Sequence, residues 1–152
     1  MAGGWLKMDL ETARIDQSHI KYRKGYKYQL VEDYCCHIDI YPSKDIITEY
    51  ITLLKDGTLI IKKGYSWDGT SGPTLDGKTN MRASIVHDSL YQLFREEHLS
   101  LKQRKQADLE FQKACIEDGM CKFRAWIDLI GLRKFGASSA SPENDREILT
   151  AP

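Results

Sequence analysis

The sequence carries no excess of charge of either sign, since 22 lysine and arginine residues balance 22 aspartate and glutamate residues. Nucleic-acid-binding domains usually collect basic charge on one face. The balance therefore predicts that the protein has no nucleic acid as a partner. Two short basic clusters, at residues 21–27 and 102–105, are interpreted as solvated faces of the fold.

Long hydrophobic runs and an export signal are also missing. No segment approaches the roughly 18 consecutive apolar residues that a membrane-spanning helix needs. The first six residues, M-A-G-G-W-L, do not form the charged segment and apolar run of a signal peptide. We therefore expect no transmembrane segment and no secretion signal, so that any exit from the cell would depend on lysis or on packaging into a particle.

Cysteine is scarce, and its spacing does not suit a structural metal. The four cysteines are Cys35, Cys36, Cys115 and Cys121, and no two are spaced as C-x-x-C, which argues against a zinc ribbon. Cys115 and Cys121 could approach each other near a helix end, but free buried thiols are the expected state. The lack of a disulfide framework favours a reducing compartment.

The remaining composition is that of a globular domain, and its pattern changes halfway along the chain. Alternating polar and apolar residues predict strands within residues 26–63, and a glycine-rich loop follows at residues 64–78. Helical periodicity covers residues 80–136. Strands followed by helices predict an α+β fold with N-terminal antiparallel strands, in a single domain of residues 1–136. Residues 137–152 are predicted to form a flexible tail.

The strand half contains two clear local signals. Cys36, Ile38 and Ile40 alternate with polar residues, so these three side chains would share one face of a strand. The Asp56-Gly57 step lies between two apolar segments and predicts a β-hairpin, because glycine adopts the positive φ angle of a tight turn.

Three helices are predicted from apolar periodicity and capping residues. They span about residues 80–97, 100–117 and 122–134. Ser100 and Gln103 have the spacing of a capping box at the start of the second helix. Gly136 is predicted to end the third helix, because glycine readily takes the left-handed conformation of a C-cap. The apolar residues of that helix are Phe123, Trp126, Ile127 and Ile130.

The first helix carries the residues best suited to catalysis. His87 and Tyr91 are four positions apart and lie on one helical face, while Asp88 is displaced by about 100° around the helix. Asp108, on the next and antiparallel helix, could reach the far nitrogen of His87, fix its tautomer and support its positive form. The predicted catalytic residues are therefore His87, Asp108 and Tyr91, and Asp88 would meet a cation.

The glycine-rich loop suits a hard cation. Calcium takes about six to eight oxygen ligands, and glycines let the chain curl so that backbone carbonyls point inward. The predicted metal site therefore combines Asp88 with the segment Trp67-Asp68-Gly69, and calcium is the expected ion. A bound cation would polarise an acyl or phosphoryl oxygen while His87 deprotonates a water molecule. The reaction class that follows is metal-assisted hydrolysis.

Each of these elements also has an ordinary structural explanation. A His-Asp pair is common by chance, and Asp108 could simply pair with Arg104, one turn away on its own helix. Tyr91 could be part of the core, and a glycine-rich loop could merely join the sheet to the helices. The order and spacing of the loop, H-D-x-x-Y and D-x-x-F together favour a functional site.

Four segments in order resemble a family of bacteriophage and bacterial proteins known as DUF1353. They are G-Y-S-W-D-G-T-S-G-P, S-I-V-H-D-S-L-Y, R-K-Q-A-D-L-E-F and the final Phe135-Gly136. The resemblance covers about residues 57–136, and Gly72-Pro73 stands where the family usually has Ile-Pro. It implies a phage or prophage origin and no particular activity.

The two helical motifs also look like the catalytic helices of secreted, calcium-dependent phospholipase A2 enzymes. The resemblance implies that His87 activates water, that Asp88 binds calcium with carbonyls of an upstream loop, and that Asp108 supports the histidine. Tyr91 would pack or bond behind them, and the segment Trp67-Asp68-Gly69 would belong to the calcium loop. The chain departs from that family in its cysteines, in its strand-rich first half and in lacking a signal peptide.

Three functions are compatible with the sequence. The first is a phage-type, calcium-dependent hydrolase that cleaves phospholipid or another acyl ester of the host envelope. The second is a non-catalytic virion or assembly component that binds other phage structural proteins and uses the metal structurally, and the third is a small protein that binds a host protein. Each places the protein in the host cytoplasm during infection, in the virion, or in both.

Overall fold

The computed structural model describes residues 20–22, 26–69, 77–145 and 148–151. The chain divides into two compact units, one formed by residues 25–145 and the other by residues 1–24 together with residues 146–152. In the second unit, β1 (Ile20–Tyr22) pairs antiparallel with β8 (Leu149–Ala151). The residues predicted to form the site all lie in the first unit.

The first unit begins with short antiparallel strands, as the sequence predicts. Its main sheet has four strands in the order β3-β6-β5-β4, with every neighbouring pair antiparallel. These strands are β3 (Tyr34–His37), β4 (Ile46–Ile47), β5 (Ile51–Leu53) and β6 (Thr58–Ile61). A second, two-stranded ladder pairs β2 (Tyr28–Gln29) with β7 (Ser66–Trp67).

The predicted hairpin joins β5 to β6, and its register places Leu53 opposite Leu59. Gly57 has a φ of +87° in the turn, and its carbonyl accepts a hydrogen bond of 2.9 Å from the Ile38 amide. Ile38 and Ile40 are buried, while their polar neighbours are exposed. The predicted face is therefore confirmed, although β3 itself ends before these two residues.

Three helices follow the strands, which makes the architecture α+β. Their bounds are α1 (Met81–Arg95), α2 (Arg104–Glu117) and α3 (Lys122–Ala140). A 3-10 turn at Leu101–Gln103 precedes α2, and the side chain of Ser100 caps that turn by accepting a hydrogen bond from the Lys102 amide. No helix among the residues that the structure describes is long and apolar enough to cross a bilayer.

The third helix is longer than the sequence predicts. Gly136 does not end it; the helix continues to Ala140, and a 3-10 turn at Pro142–Asn144 follows. Gly136 is buried inside the helix, so its lack of a side chain serves packing and not capping. The stretch predicted as a flexible tail therefore begins with helical residues and includes β8. The single domain of residues 1–136 stays a prediction.

The core has two parts. The larger part joins the four-stranded sheet to α1 through isoleucine and leucine side chains of the strands and Leu90, Leu93 and Phe94 of the helix. The smaller part lies among the helices and is built around Phe111 and Cys115 of α2. Burial raises the pKa of the Cys115 thiol to about 12, as expected for a thiol that acts as a small apolar group. Both parts hold α1 firmly between the strands and the other helices.

Replacement of Gly57 by alanine should lower the free energy of unfolding by about 1–3 kcal/mol. The added Cβ would collide with the carbonyl oxygen of Ile38, and the positive φ is itself unfavourable for alanine. Urea denaturation followed by circular dichroism measures the loss. Gly77→Ala is the matched control, because a Cβ at Gly77 meets no atom within 4 Å. Equal stability of the two variants would contradict the account of this turn.

Candidate active site

The centre of the candidate site is the inward face of α1. His87 and Tyr91 lie one turn apart on this face, and their rings pack with centroids 4.0 Å apart. Phe111 of α2 meets the His87 ring edge-on at 5.6 Å, and Phe94 meets the Tyr91 ring in the same manner at 5.7 Å. Aromatic packing thus fixes the orientation of both polar rings before any hydrogen bond is considered.

The carboxylate of Asp108 joins these two side chains. Its Oδ1 atom lies 2.9 Å from His87 Nε2 and accepts a hydrogen bond of 2.7 Å from the Tyr91 hydroxyl. Asp108 is completely buried, and hydrogen bonds to a carboxylate are stronger where water is excluded. The structure therefore brings together the three side chains that the sequence predicts as catalytic.

Arg104 completes the network. It lies one turn before Asp108 on α2, and its Nη1 atom is 3.7 Å from Asp108 Oδ2. The same nitrogen donates a hydrogen bond of 3.3 Å to the Tyr91 hydroxyl. The sequence presented Arg104 and His87 as alternative partners of Asp108, but the structure contains both contacts. The charge of Arg104 compensates a buried carboxylate that would otherwise be costly.

The sequence pattern does not place Gly136 in the site, although the structure does. A Cβ at this position would lie 2.7 Å from the Tyr91 hydroxyl and 3.4 Å from Arg104 Nη1. The absence of a side chain therefore lets α3 close over the network. The available signal was the Phe135-Gly136 pair in the family pattern, which was interpreted as a helix end.

The pKa of His87 is raised above that of an ordinary imidazole. Burial lowers the pKa, but the carboxylates of Asp108 and Asp88 raise it by a larger amount. Asp88 Oδ1 lies 3.9 Å from His87 Nδ1, which is too long for a direct hydrogen bond, so we assign its effect to charge. With Nε2 held by Asp108, Nδ1 is the nitrogen available for proton transfer. Asp88 beside it is 25% exposed, so this edge of the site reaches solvent.

The predicted metal segment lies at the end of β7 and is anchored to the same helix. Trp67 is buried, and its indole nitrogen donates a hydrogen bond of 2.9 Å to the Ser84 hydroxyl, one turn before Asp88 on α1. The charge of Asp88 also acts on Tyr65: burial raises the pKa of the Tyr65 hydroxyl, and Asp88 raises it further. Asp88 therefore lies on the side of α1 that meets the start of the glycine-rich loop.

The metal ligands themselves are only partly within the described part of the chain. Asp68 and Gly69 follow Trp67, and Gly69 has a φ of +83°, which turns the chain at this point. Residues 70–76 of the loop lie outside the described residues. Among the residues that are described, no three histidine, cysteine, aspartate or glutamate side chains come together to hold a metal ion. A calcium ion here would therefore need backbone carbonyls and water in addition to Asp88 and Asp68.

Comparison with known protein families gives a match. A family model described as "Protein of unknown function (DUF1353)" matches residues 46–131. The matched span runs from β4 into α3 and contains His87, Asp88, Tyr91 and Asp108. No curated protein and no solved structure matches the chain.

Replacement of Gly136 by alanine should destabilise the protein by about 1–3 kcal/mol, because the new methyl group must displace the Tyr91 hydroxyl from its buried place. Urea denaturation measures this loss. Gly131→Ala on the same helix is the matched control, since a Cβ there meets nothing within 4 Å. Alanine is the better helix former by up to about 1 kcal/mol, so the control should be neutral or stabilising. Two variants of equal stability would refute the close approach of α3.

Proposed function

The chain belongs to the DUF1353 family, and we propose that it is an acyl-ester hydrolase of phospholipase A2 type, in which His87 activates water. The family description names no function, so the proposal is based on the site. The observation that carries it is the buried Asp108 carboxylate, shared between His87 Nε2 at 2.9 Å and the Tyr91 hydroxyl at 2.7 Å.

The arrangement supports a base at His87 for a physical reason. Asp108 holds the proton on Nε2, which leaves Nδ1 as the atom that accepts a proton from water. When His87 becomes positively charged, the carboxylates that raise its pKa stabilise the imidazolium. The Tyr91 hydroxyl donates to Asp108 and Arg104 lies beside it, so these two residues hold the carboxylate in the position that orients the ring. The proton taken at Nδ1 then returns to the leaving alcohol.

Calcium belongs to the same proposal. Carboxylate and carbonyl oxygens are the ligands that calcium prefers, and Asp88, Asp68 and the backbone of the glycine-rich loop would supply them. When bound, the ion would polarise the acyl carbonyl and favour the charge that develops on its oxygen. Support comes from the position of Asp88, which lies beside His87 Nδ1 and on the side of α1 that meets β7.

The substrate class in this proposal is the acyl ester of a phospholipid. It follows from the likeness of H-D-x-x-Y and D-x-x-F to calcium-dependent phospholipases, whose histidine, tyrosine and distal aspartate would correspond to His87, Tyr91 and Asp108. A phage-type enzyme of this kind would act on host envelope lipid during entry or lysis.

A second candidate function is a non-catalytic virion or assembly component. The observation that favours it is the burial of His87, whose side chain is only 5% exposed. A buried network that also includes Arg104 and fits under Gly136 would join three helices whether or not it performs chemistry. Binding to a host protein stays a prediction from the sequence.

Replacement of His87 by glutamine should lower the rate of phospholipid hydrolysis by about 100-fold or more, the usual contribution of a general base. Release of fatty acid from phosphatidylglycerol vesicles in calcium measures it, at alkaline pH where the imidazole is neutral. Asp108→Asn should also lower the rate, by up to about 10⁴-fold, because the ring loses the carboxylate that holds its tautomer. His98→Gln is the control, since His98 is exposed and outside the network. Equal hydrolysis by wild type and His87→Gln would contradict the role of His87, and no hydrolysis by any folded form would favour the non-catalytic candidate.

Calcium should raise the melting temperature of the wild type and leave the melting temperature of the Asp88→Asn variant unchanged. A ligand that binds only the folded state stabilises it by about 2.7 kcal/mol at one hundred times its dissociation constant. Differential scanning calorimetry in calcium, in magnesium and in chelator measures this effect without a substrate. Asp39→Asn is the control, because Asp39 is exposed and pairs with Lys113 away from the loop. A calcium shift that survives in Asp88→Asn would place the ion elsewhere, and no shift in the wild type would remove calcium from the proposal.

A further inference from the structure

The outer face of α3 is apolar although it points to solvent. Phe123 is 69% exposed, Trp126 52%, Ile127 46% and Ile130 40%. Their spacing of three, four and seven positions places them in one stripe along the helix. The opposite side of α3 is buried, with Ala125, Asp128, Leu129, Leu132, Gly136 and Ala140. The four exposed residues therefore form a second apolar surface that the core does not use, and we call it the outer face of α3.

This outer face is a continuous surface and not a scatter of single apolar residues. The rings of Phe123 and Trp126 stack with centroids 6.1 Å apart and an interplanar angle of 28°. Ile127 and Ile130 continue the stripe by one further turn. Solvent exposure of four adjacent large apolar side chains is unfavourable, so such a patch usually marks a binding surface.

The exposed charges that α3 itself carries are basic. The exposed charged residues of α3 are Lys122, Arg124, Arg133 and Lys134. On a helical projection Lys122 and Arg133 lie along one edge of the stripe, and Arg124 lies beyond the other. Asp128 is the one acidic residue of α3; it is buried and pairs with Arg124 at 3.3 Å. An apolar stripe bordered by positive charge is complementary to a partner that has negative charge at its surface and an apolar layer beneath.

We propose that the outer face of α3 binds the surface of an anionic phospholipid bilayer. Phe123 and Trp126 enter the interfacial layer, where aromatic side chains are favoured, and the isoleucines reach the upper acyl chains. Lysine and arginine side chains at the edges meet lipid phosphates. The protein lies on the membrane and does not cross it, because the other side of α3 packs against α1 and α2.

Charge also argues against a second copy of the chain as the occupant. Two such faces packed together would bring Lys122, Arg133 and their equivalents into proximity, and like charges across an interface are unfavourable. An anionic bilayer turns the same residues into favourable contacts.

Membrane binding goes beyond the proposed hydrolysis and does not depend on it. The outer face and Gly136 lie on opposite sides of the same helix, so the surface that binds lipid does not include the network around Asp108. A variant can therefore lose membrane binding and keep hydrolysis, or lose hydrolysis and keep membrane binding.

Flotation of the full chain with vesicles tests the proposal. Vesicles of equimolar phosphatidylglycerol and phosphatidylcholine are compared with vesicles of phosphatidylcholine alone. The wild type should bind the anionic vesicles and bind more weakly when salt is added, because salt screens the lysine and arginine contacts. The double variant Trp126→Gln, Ile130→Gln should bind at least roughly tenfold more weakly than the wild type, since it loses two large apolar contacts. His87→Gln should bind as the wild type does.

The matched control is Val31→Gln with Ile47→Gln, which removes two exposed apolar side chains from the strand half and should leave binding unchanged. Circular dichroism establishes that all variants are folded. Equal binding by both double variants, or no binding of folded wild type to anionic vesicles, would overturn the proposal. A wild-type dimer in size-exclusion chromatography that Trp126→Gln, Ile130→Gln abolishes, without vesicle binding, would identify the face as a subunit interface instead.

Discussion

The buried carboxylate of Asp108 is the group on which the arrangement of the helices depends. A charge without access to water is costly unless other groups compensate it. Here His87 and Tyr91 of α1 and Arg104 of α2 all contact Asp108, and the network fits under α3 only because Gly136 has no side chain. The contacts that fix the orientation of the His87 ring are therefore the contacts that hold the helices together.

The strands mainly position the helices and the glycine-rich loop, and they supply few of the polar side chains of the candidate site. The hydrogen bond from Trp67 to Ser84 fastens the end of β7 to α1, one turn from Asp88. This contact sets where the glycine-rich loop starts relative to His87. The sheet also buries the apolar side of α1, so that the helix presents His87 and Tyr91 to α2 in a fixed rotation. The site thus lies where a strand end, a loop and two helices meet.

The sequence predicted the features that are determined by local spacing and failed where tertiary contacts decide. The hairpin at Gly57, the three helices and the approach of Asp108 to His87 follow from turn chemistry and helical periodicity. Gly136 was assigned to a helix end, because a glycine that caps and a glycine that packs look alike without their neighbours. Periodicity likewise revealed the stripe containing Phe123 and Trp126 but not that it faces outward, since small residues such as Ala125 and Ala140 form the buried side of α3.

The network is assembled from two pairs of residues, and each pair spans a single helical turn. His87 and Tyr91 lie on the same helical face as soon as α1 forms. Arg104 and Asp108 do so as soon as α2 forms. Only one docking step between helices that are close in sequence is then needed, and the contacts it makes have low contact order. The polar centre of the fold can consequently form with the helical hairpin, without waiting for the pairing of β2 with β7, whose residues are farther apart in sequence.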